Sequence, residues 1–443
     1  MENQIDQIET CNTRVAMKIL EVSRYKNNFA DHQLPFVTEQ GQSLQAAGCQ
    51  VEYFLVRGNY VKAVGALKAK IREFKPDIVH AHYGLSGITA ALAKLFSSSF
   101  SLMITFHNGE WHNWWVNMLS SFFALRAKHL IYVAPHIREK MFIKHPHYTI
   151  LPCGVNMEES KPTDYQQART QLGFDPDTYY ILFGGAFSNT RKNVALLREA
   201  VELLENKNRE NTPKIEKIGI GASAEPEKNI SSSEADASIA SVNLNACDSP
   251  REQALGCSHL PSDSTLTGST YNAEIQNCSV PSEHKIADSP LSLHKIIEHP
   301  EGRICYPELN IEIIEMKGMD RKTVALYMSA CDLFALPTKN EGSPQALKEA
   351  MVCNCPIVAT DCADIAHLLG DLEGHYLLTN KGKSKAEWVG DDNSIEELRV
   401  KIEEAMQLPR GFRTKGRERI IELGYTNELV AEKLVEIYGR CKR

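Results

Sequence analysis

The sequence lacks the features of a membrane-spanning or secreted chain. No apolar run approaches the roughly 18 residues that a helix needs to cross a bilayer. The first 16 residues, MENQIDQIETCNTRVA, are too polar and acidic for a secretory signal. Basic charge is not in excess, since 49 Lys and Arg stand against 56 Asp and Glu for a net charge of −7. We therefore expect a cytoplasmic protein without a nucleic-acid partner, and a disordered lead-in over residues 1–14.

The cysteines also lack a disulfide-like rhythm. Twelve are scattered along the chain, several in apolar contexts such as MSACDLF, which suits free thiols in a reducing cytosol. Cys353, Cys355 and Cys362, in CNCPIVATDC, have the residue type of a zinc site. No second cluster accompanies them, and they span a helix end and a strand. We therefore predict that they bind no metal.

What the sequence does contain is an alternation of short apolar runs with amphipathic stretches. The apolar runs of the first third of the chain are VAMKILEVS (15–23), VEYFLV (51–56), DIVHAHYG (77–84), SLMITFHNG (101–109), HLIYVA (129–134) and YTILPCG (148–154). Several of these runs are separated by stretches whose apolar residues recur at helical spacing, such as VKAVGALKAKIREF (61–74). Such alternation predicts a parallel sheet covered by helices on both faces, and hence a doubly wound α/β domain over residues 1–157.

The same pattern restarts at YYILFGGAF (179–187) and predicts a second doubly wound domain, over residues 158–425, that faces the first across a cleft. Between 222 and 304 the rhythm fails in a stretch rich in Ser, Asn and Pro. This composition predicts a disordered insertion with one short helix at SLHKIIEH, and a small ligand-binding subdomain is the alternative. Thr426 is expected to cap a last helix, over 426–443, that packs back on the first domain.

One loop combines a turn, a helix start and two glutamates: NEGSPQALKEAM (340–351). It follows CDLFALPT, a predicted buried strand, and so leaves the carboxyl end of a strand, where open parallel sheets bind ligands. Ser343 is a good N-cap residue and Pro344 suits the first helical position, which predicts a helix that begins here. The unpaired amide groups from Gly342 to Gln345 would favour an anion such as a diphosphate.

A second turn, FGGAFSNTRKN, adds two cations. Gly185 and the glycine before it let the backbone turn sharply, and Arg191 and Lys192 precede the next helix, where they suit a diphosphate. The turn is neither the three-glycine dinucleotide fingerprint nor a P-loop, and taken alone it is better explained as an ordinary turn with solvated basic residues. A nucleotide site is favoured by the two glutamates, because Glu349 can accept both hydroxyls of a ribose and Glu341 can accept hydroxyls of a group on the other phosphate.

EGSPQALKEAM, followed by CPIVATD, closely resembles the signature of the retaining nucleotide-sugar glycosyltransferases with two Rossmann-like domains, the group 1 or family 4 type. The resemblance extends to DIVHAHYG, ITFHNGE, ILPCGVN and LFGGAF with RKN. It implies a B-type glycosyltransferase fold and transfer of a hexosyl group, with retention, from a nucleoside diphosphate sugar to a glycan or lipid-linked acceptor. By the same resemblance Glu341 and His107 face the donor sugar, Glu349 contacts the ribose, and Arg191 and Lys192 contact the diphosphate.

Two positions depart from the pattern of that family. Ala186 stands where relatives carry an arginine, so phosphate binding would depend on Arg191 and Lys192. The loop at 23–33, SRYKNNFADHQ, lacks the glycines that relatives often have there, which puts its role near the phosphates in doubt.

Some residues have metal-like spacing without the rest of a metal site. His80 and His82 share one face of a predicted strand, but the sequence supplies no third ligand, so we predict that they line the substrate cleft. Asp175 and Asp177 form an Asp-x-Asp match that a proline-containing turn explains. We predict no metal and no cofactor, because cationic side chains and a helix N-terminus would stabilise the departing nucleoside diphosphate.

The acceptor side is represented by EWHNWWVNMLSSFFALRAK (110–128), which contains three tryptophans and two phenylalanines. This stretch is either a buried helix of the first domain, or a hydrophobic surface for an acceptor or for peripheral contact with the inner face of a membrane. The resemblance implies polysaccharide biosynthesis at a bacterial surface. Two other functions stay open: a nucleotide-sugar 2-epimerase of the same architecture, which would act without an acceptor, and a nucleotide-sugar-binding protein that has lost catalysis.

Overall fold

The computed structural model describes residues 16–24, 34–95, 99–108, 113–211, 297–299, 302–379 and 392–442. Three predictions fall wholly or mainly outside these residues. They are the disordered lead-in, the glycine-free loop at 23–33 and most of the insertion at 222–304.

The first sheet contains six strands, all parallel, in the order β2-β1-β3-β4-β5-β6. Its strands are β1 (Lys18–Arg24), β2 (Gln50–Val56), β3 (Ile78–His82), β4 (Ser101–Phe106), β5 (His129–Tyr132) and β6 (Tyr148–Ile150). The intervening helices are α1 (Pro35–Ala46), α2 (Tyr60–Phe74), α3 (Gly84–Lys94), α4 (Trp114–Ala124) and α5 (Pro135–Lys140). Alternate residues of β1 enter different cores, Leu20 and Val22 on one face and Ile19 on the other, so both faces of the sheet are covered.

The second sheet contains seven strands in the order β13-β12-β11-β7-β10-β9-β8. Its strands are β7 (Tyr179–Phe183), β8 (Ile297–His299), β9 (Arg303–Tyr306), β10 (Ile311–Glu315), β11 (Leu333–Leu336), β12 (Ile357–Thr360) and β13 (His375–Leu378). Its helices are α6 (Tyr165–Leu172), α7 (Val194–Asn211), α8 (Arg321–Ala330), α9 (Gln345–Val352), α10 (Ile365–Leu369), α11 (Asp392–Met406) and α12 (Gly416–Leu423). Strands β7 and β10 to β13 are parallel, and the predicted class of two doubly wound α/β domains is confirmed.

The edge of the second sheet corrects the predicted insertion. The predicted helix at SLHKIIEH is wrong where it is described, because residues 297–299 form β8, which pairs antiparallel with β9. The predicted end of the insertion at 304 is also too late, since β9 begins at Arg303 and pairs antiparallel with β10. Ile304 and Tyr306 are buried while Arg303 and Cys305 are partly exposed. This alternation is typical of a strand with one covered face.

The last helix, α13 (Asn427–Lys442), belongs to the core of the first sheet. Its apolar residues, among them Val430, Leu434 and Ile437, pack with Ile19 and Leu44. The Leu429 amide donates to Thr426 Oγ1 at 3.3 Å, as expected of an N-terminal cap. Where the chain returns to the first sheet, it pairs with the segment that left it, through a bridge between Val155 and Thr426.

Helix α4 answers the question of the tryptophan-rich stretch. The face that it buries carries Asn117, Ser120, Ser121 and Ala124, whereas Trp114 and Trp115 on the other side are more than half exposed. The helix therefore packs on its own domain mainly through small and polar side chains, together with Phe123, and leaves several of its large apolar side chains exposed.

Candidate active site

His107 follows the carboxyl end of β4 and is almost fully buried. Its ring lies against Phe36 and Tyr83, with ring centroids 4.8 and 4.7 Å away. Burial, assisted by the neighbouring histidines and Lys348, holds the pKa of His107 well below its usual 6.5. The imidazole is therefore neutral near pH 7, and can accept a proton or a hydrogen bond at one ring nitrogen.

Glu341 and Lys192 come together across two loops of the second sheet. Lys192, in the turn before α7, donates from Nζ to Glu341 Oε1 at 2.7 Å, and Thr338 Oγ1 donates to the same oxygen at 3.1 Å. Both charged side chains are largely buried, which strengthens their attraction relative to a surface pair. An ammonium has three N–H donors, so Lys192 retains capacity for a second acceptor such as a phosphate oxygen.

Gly342 brings the glutamate loop into contact with the first sheet. A Cβ atom at this position would lie 2.2 Å from the backbone oxygen of His107 and 3.1 Å from Asn108 Cβ. Only a residue without a side chain permits this approach, which explains the glycine between Glu341 and Ser343. The contact places Glu341 and His107 on two loops that touch each other.

The start of α9 differs from the prediction by one residue. Pro344 is the N-cap, with an extended ψ of 116°, and the first helical residue is Gln345. Ser343 makes no capping hydrogen bond. It lies instead beside Asp364, a carboxyl group whose pKa is raised by burial. The amide groups that begin the helix therefore belong to Gln345 and the residues after it.

Glu349 lies one helical turn further along α9 and is already paired with a cation. Its Oε1 accepts from Arg321 Nη1, and Arg321 Nε contacts Glu39 Oε1 at 2.5 Å. Glu39 is on α1 of the first sheet, so the guanidinium joins carboxylates from both sheets. Burial raises the pKa of Glu349, and Arg321 acts in the opposite direction. No pattern in the sequence indicated Arg321 as a partner of this glutamate.

Two further residues predicted for the site are Gly185, which contacts Lys192, and Arg191, whose side chain is exposed. Gly185 lies against the stem of Lys192, because a Cβ there would be 2.8 Å from Lys192 Cγ. This glycine therefore lets the lysine chain cross the turn. Arg191 is tied to the site through its backbone oxygen, which accepts from the Lys339 amide at 2.9 Å, while its side chain is exposed. A role for the Arg191 guanidinium stays a prediction.

His82 does not line a cleft, which corrects the prediction for it and for His80. Both side chains are fully buried, behind His107. His82 Nδ1 lies 3.0 Å from His107 Nε2, and His82 Nε2 lies 2.7 Å from Glu21 Oε2. While Glu21 is ionised, His82 donates to it and accepts from His107, which leaves His107 Nδ1 as an acceptor facing Cys153 Sγ at 3.6 Å.

Glu21 is a third potential metal-ligating side chain beside His80 and His82, and the sequence alone did not reveal it. Among the described residues, Glu21, His80 and His82 are the one group of such side chains with ligand atoms within 4.8 Å of one another. The remaining nitrogens, those of His80, lie 2.6 Å from Tyr438 Oη and 2.7 Å from Thr105 Oγ1. Every ring nitrogen thus has a hydrogen-bond partner, and the cluster is a connected polar network.

The other metal-like spacings have structural explanations. The Asp177 amide donates to the Asp175 side chain at 2.8 Å, as in an aspartate turn. Cys353 Sγ contacts the Ser160 carbonyl oxygen at 3.4 Å, and burial raises the pKa of both Cys353 and Cys355, which keeps them as thiols. No disulfide is present among the described cysteines.

Lys348 was not singled out from the sequence, yet it is fully buried beside the site. Its Nζ donates to the Cys153 carbonyl oxygen at 2.5 Å, and Gln345 Nε2 donates to the Gly154 oxygen at 2.7 Å. Helix α9 thereby holds the ILPCGVN segment in place. Gly154 is required because a Cβ there would lie 2.7 Å from Asn427 Cα.

Two regions of the chain match family models. Residues 51–159 match Glycosyltransferase Family 4, and residues 302–390 match Glycosyl transferases group 1. The first region ends in the ILPCGVN segment and the second contains both glutamates. The chain thus contains a match to each of two glycosyltransferase family models, and it is a glycosyltransferase enzyme.

Solved structures of similar architecture cover nearly the whole chain. Sucrose-phosphate synthase from Thermosynechococcus elongatus is 16% identical with a TM-score of 0.61, over 96% of this chain and 98% of that one. HepE of Anabaena, solved with UDP and glucose, is 13% identical with a TM-score of 0.56, over 96% and 100%. The lipopolysaccharide outer core galactosyltransferase WaaB is 12% identical with a TM-score of 0.51, over 96% and 100%. At these identities the likeness shows the fold alone. No curated protein sequence matches the chain.

No helix in the described part of the chain has the length and apolar character required for a membrane span.

Proposed function

We propose that the protein transfers a hexosyl group from a nucleoside diphosphate sugar to a glycan or lipid-linked sugar, with retention of configuration and without a metal ion. The observation that carries the proposal is the Lys192–Glu341 pair at the loop that touches His107. The pair joins a cation and a carboxylate, and the loop of Glu341 leads into α9 and touches the backbone of His107 through Gly342.

The proposed donor site follows from the charges of these residues. The diphosphate would accept from Lys192 and from the first amide groups of α9, and Arg191 would approach from the same turn. When the donor binds, the ribose hydroxyls would replace Arg321 as the hydrogen-bond partner of the Glu349 carboxylate. The sugar would lie between Glu341 and His107, and the Glu341 carboxylate can accept a hydrogen bond from a sugar hydroxyl.

The proposed reaction needs stabilisation of the leaving group. The bond between the anomeric carbon and the phosphate oxygen breaks, the acceptor oxygen bonds to that carbon on the same face, and the acceptor proton passes to the departing phosphate. Charge grows on the phosphate as the bond breaks, and a preorganised cation and helix N-terminus act on that charge. HepE, of similar fold, has been solved with UDP-glucose, which supports a nucleotide-sugar donor here.

Location and acceptor are part of the proposal. The eight described cysteines form no disulfide, which suits a reducing compartment such as the cytoplasm. A lipid-linked acceptor would place the reaction at the inner face of a membrane, in polysaccharide biosynthesis.

A thermal-shift screen with nucleoside diphosphates and their sugars tests the donor without knowledge of the acceptor. We expect one nucleoside diphosphate to raise the melting temperature at concentrations above its Kd, because it binds only the folded state. Lys192→Ala should weaken the shift, and Lys161→Ala, at an exposed lysine that is not among the proposed donor contacts, should not. If no compound of either class shifts the transition, the proposal is wrong.

Turnover then distinguishes transfer from the two alternatives. The screen's best donor, labelled in the sugar, is incubated with chelator and a panel of glycan and lipid acceptors. Transfer predicts label in an acceptor with retained anomeric configuration and activity that survives the chelator. Conversion of the donor without an acceptor would identify an epimerase, and tight binding without turnover would identify a binding protein.

A further inference from the structure

The apolar residues of α4 and of the segment after α5 form one exposed surface. We call it the tryptophan patch, and it consists of Trp114, Trp115, Leu119, Phe122, Leu125 and Phe142. The four aromatic residues are each 54–62% exposed and together present on the order of 450 Å² of surface. An apolar patch of this size matches the largest patch of a typical monomer, which is often functional.

The polar face of α4 holds the patch together. Asn117 Nδ2 donates to the Lys140 carbonyl oxygen at 2.8 Å, and the Phe142 amide lies 3.1 Å from both Asn117 Oδ1 and Ser121 Oγ. These bonds fix the segment after α5 to the helix, with the Phe142 and Trp114 ring centroids 6.4 Å apart. The patch is therefore a rigid platform, held in shape by polar groups that would normally face water.

The charge around the patch is opposite to that of the whole protein. Residues 113–148 contain one acidic residue, Glu139, and five basic ones, Arg126, Lys128, Arg138, Lys140 and Lys144, in a chain with a net charge of −7. Arg126, Lys140 and Lys144 are among the basic residues that are exposed. A basic border around tryptophans and phenylalanines suits the headgroup region of an anionic bilayer, where tryptophan side chains are enriched.

The length of α4 fits a helix that lies on a membrane surface and does not cross the bilayer. Helix α4 has 11 residues and is about 16 Å long, which is too short to span a bilayer but sufficient to lie in its interface. A second copy of the chain is a poor occupant, because a symmetric contact would bring the two basic borders together.

We propose that the tryptophan patch docks the protein on a bilayer that contains anionic phospholipids, with α4 in the interfacial plane. Trp114 is seven positions after His107 in the sequence, so docking keeps the end of β4 close to the lipid. Presentation of a lipid-linked acceptor at that point rests on the proposed function, whereas docking itself does not.

Vesicle flotation of the full chain tests docking without donor or acceptor. We expect the protein to float with vesicles in which one third of the phosphatidylcholine is replaced by phosphatidylglycerol, and far less with phosphatidylcholine alone. The variant Trp114→Ser, Trp115→Ser, Phe122→Ser should lose at least tenfold in partitioning. Ile421→Ser on α12, an exposed apolar residue of similar exposure, is the matched control and should float like the wild type.

A charge variant and a size measurement complete the test. Lys140→Glu with Lys144→Glu should lower binding to anionic vesicles, whereas Lys161→Glu should not. Failure of the wild type to float, or flotation of the triple variant at the wild-type level, overturns the proposal. A concentration-dependent dimer that the triple variant abolishes would assign the patch to a second copy instead. Nucleoside diphosphate binding, measured on the same variants without vesicles, reports separately on the proposed function.

Discussion

Substitution of Glu349 by glutamine isolates the proposed ribose contact. The amide keeps the shape of the side chain and removes the charge that makes it a strong acceptor. A hydrogen bond to a charged group contributes about 1.5–3 kcal/mol, which corresponds to a roughly 10- to 150-fold change in Kd. Glu349 is already bonded to Arg321 in the free protein, so binding exchanges one partner for another. We therefore expect the lower end of the range, about tenfold weaker nucleoside diphosphate binding.

Isothermal titration calorimetry with two ligands makes this assignment specific. The wild type should bind the 2′-deoxy or 3′-deoxy form of the nucleoside diphosphate about tenfold more weakly than the parent compound, while Glu349→Gln should distinguish the two poorly. Glu432→Gln, at an exposed site on α13, serves as the control for loss of a carboxylate. Equal losses from the deoxy ligand in the wild type and in Glu349→Gln would show that the glutamate does not contact the ribose. A melting temperature measured for each variant separates this outcome from destabilisation of the Arg321 contacts.

Three further predictions concern the residues around the donor. Lys192→Ala should lower kcat about 10²- to 10³-fold, as for loss of a single electrostatic stabiliser, and a loss below tenfold relative to Lys161→Ala would make the lysine a bystander. Gly342→Ala should lower kcat/KM at least tenfold, because its Cβ would lie 2.2 Å from the His107 oxygen; wild-type turnover would mean that the contact is absent during catalysis. Because burial holds the pKa of His107 well below 6.5, the ring loses no neutral form as pH falls to that value, and the pH profile of kcat/KM should stay level down to pH 6.5. An acid limb centred there that His107→Gln removes would contradict this.

The parts of the site that the sequence predicted are those set by strand ends. His107 follows the carboxyl end of β4 in the first sheet. Glu341 and Lys192 follow the neighbouring parallel strands β11 and β7 of the second sheet, and neighbouring parallel strands bring such positions to one edge of a sheet. The local pattern was therefore enough to expect them near one another. The strands themselves were predicted from apolar runs, as with VEYFLV, which lies within β2, whereas YTILPCG extends past the end of β6 at Ile150.

The parts that the sequence did not predict depend on pairing between distant side chains. Arg321 meets Glu349 and Glu39 because α8, α9 and α1 converge, and no local pattern encodes that convergence. Glu21 was visible as a charged residue in the middle of β1, but its contact with His82 requires the β1–β3 pairing. The sequence also did not predict which face of α4 is buried, because periodicity shows that a helix has two faces but not which of them is covered.

The paired segment at Val155 and Thr426 joins the chain that leaves the first domain to the chain that returns to it. The Val155 amide donates to the Tyr425 oxygen at 2.9 Å, and the Asn427 amide donates to the Val155 oxygen at 3.1 Å. Within the described residues, the outgoing and returning chains thus share one narrow seam, with Gly154 pressed against Asn427. If the two domains rotate relative to each other, this seam would act as the hinge. The backbone rotation would then be concentrated in a few residues, next to Cys153, whose sulfur lies 3.6 Å from His107 Nδ1.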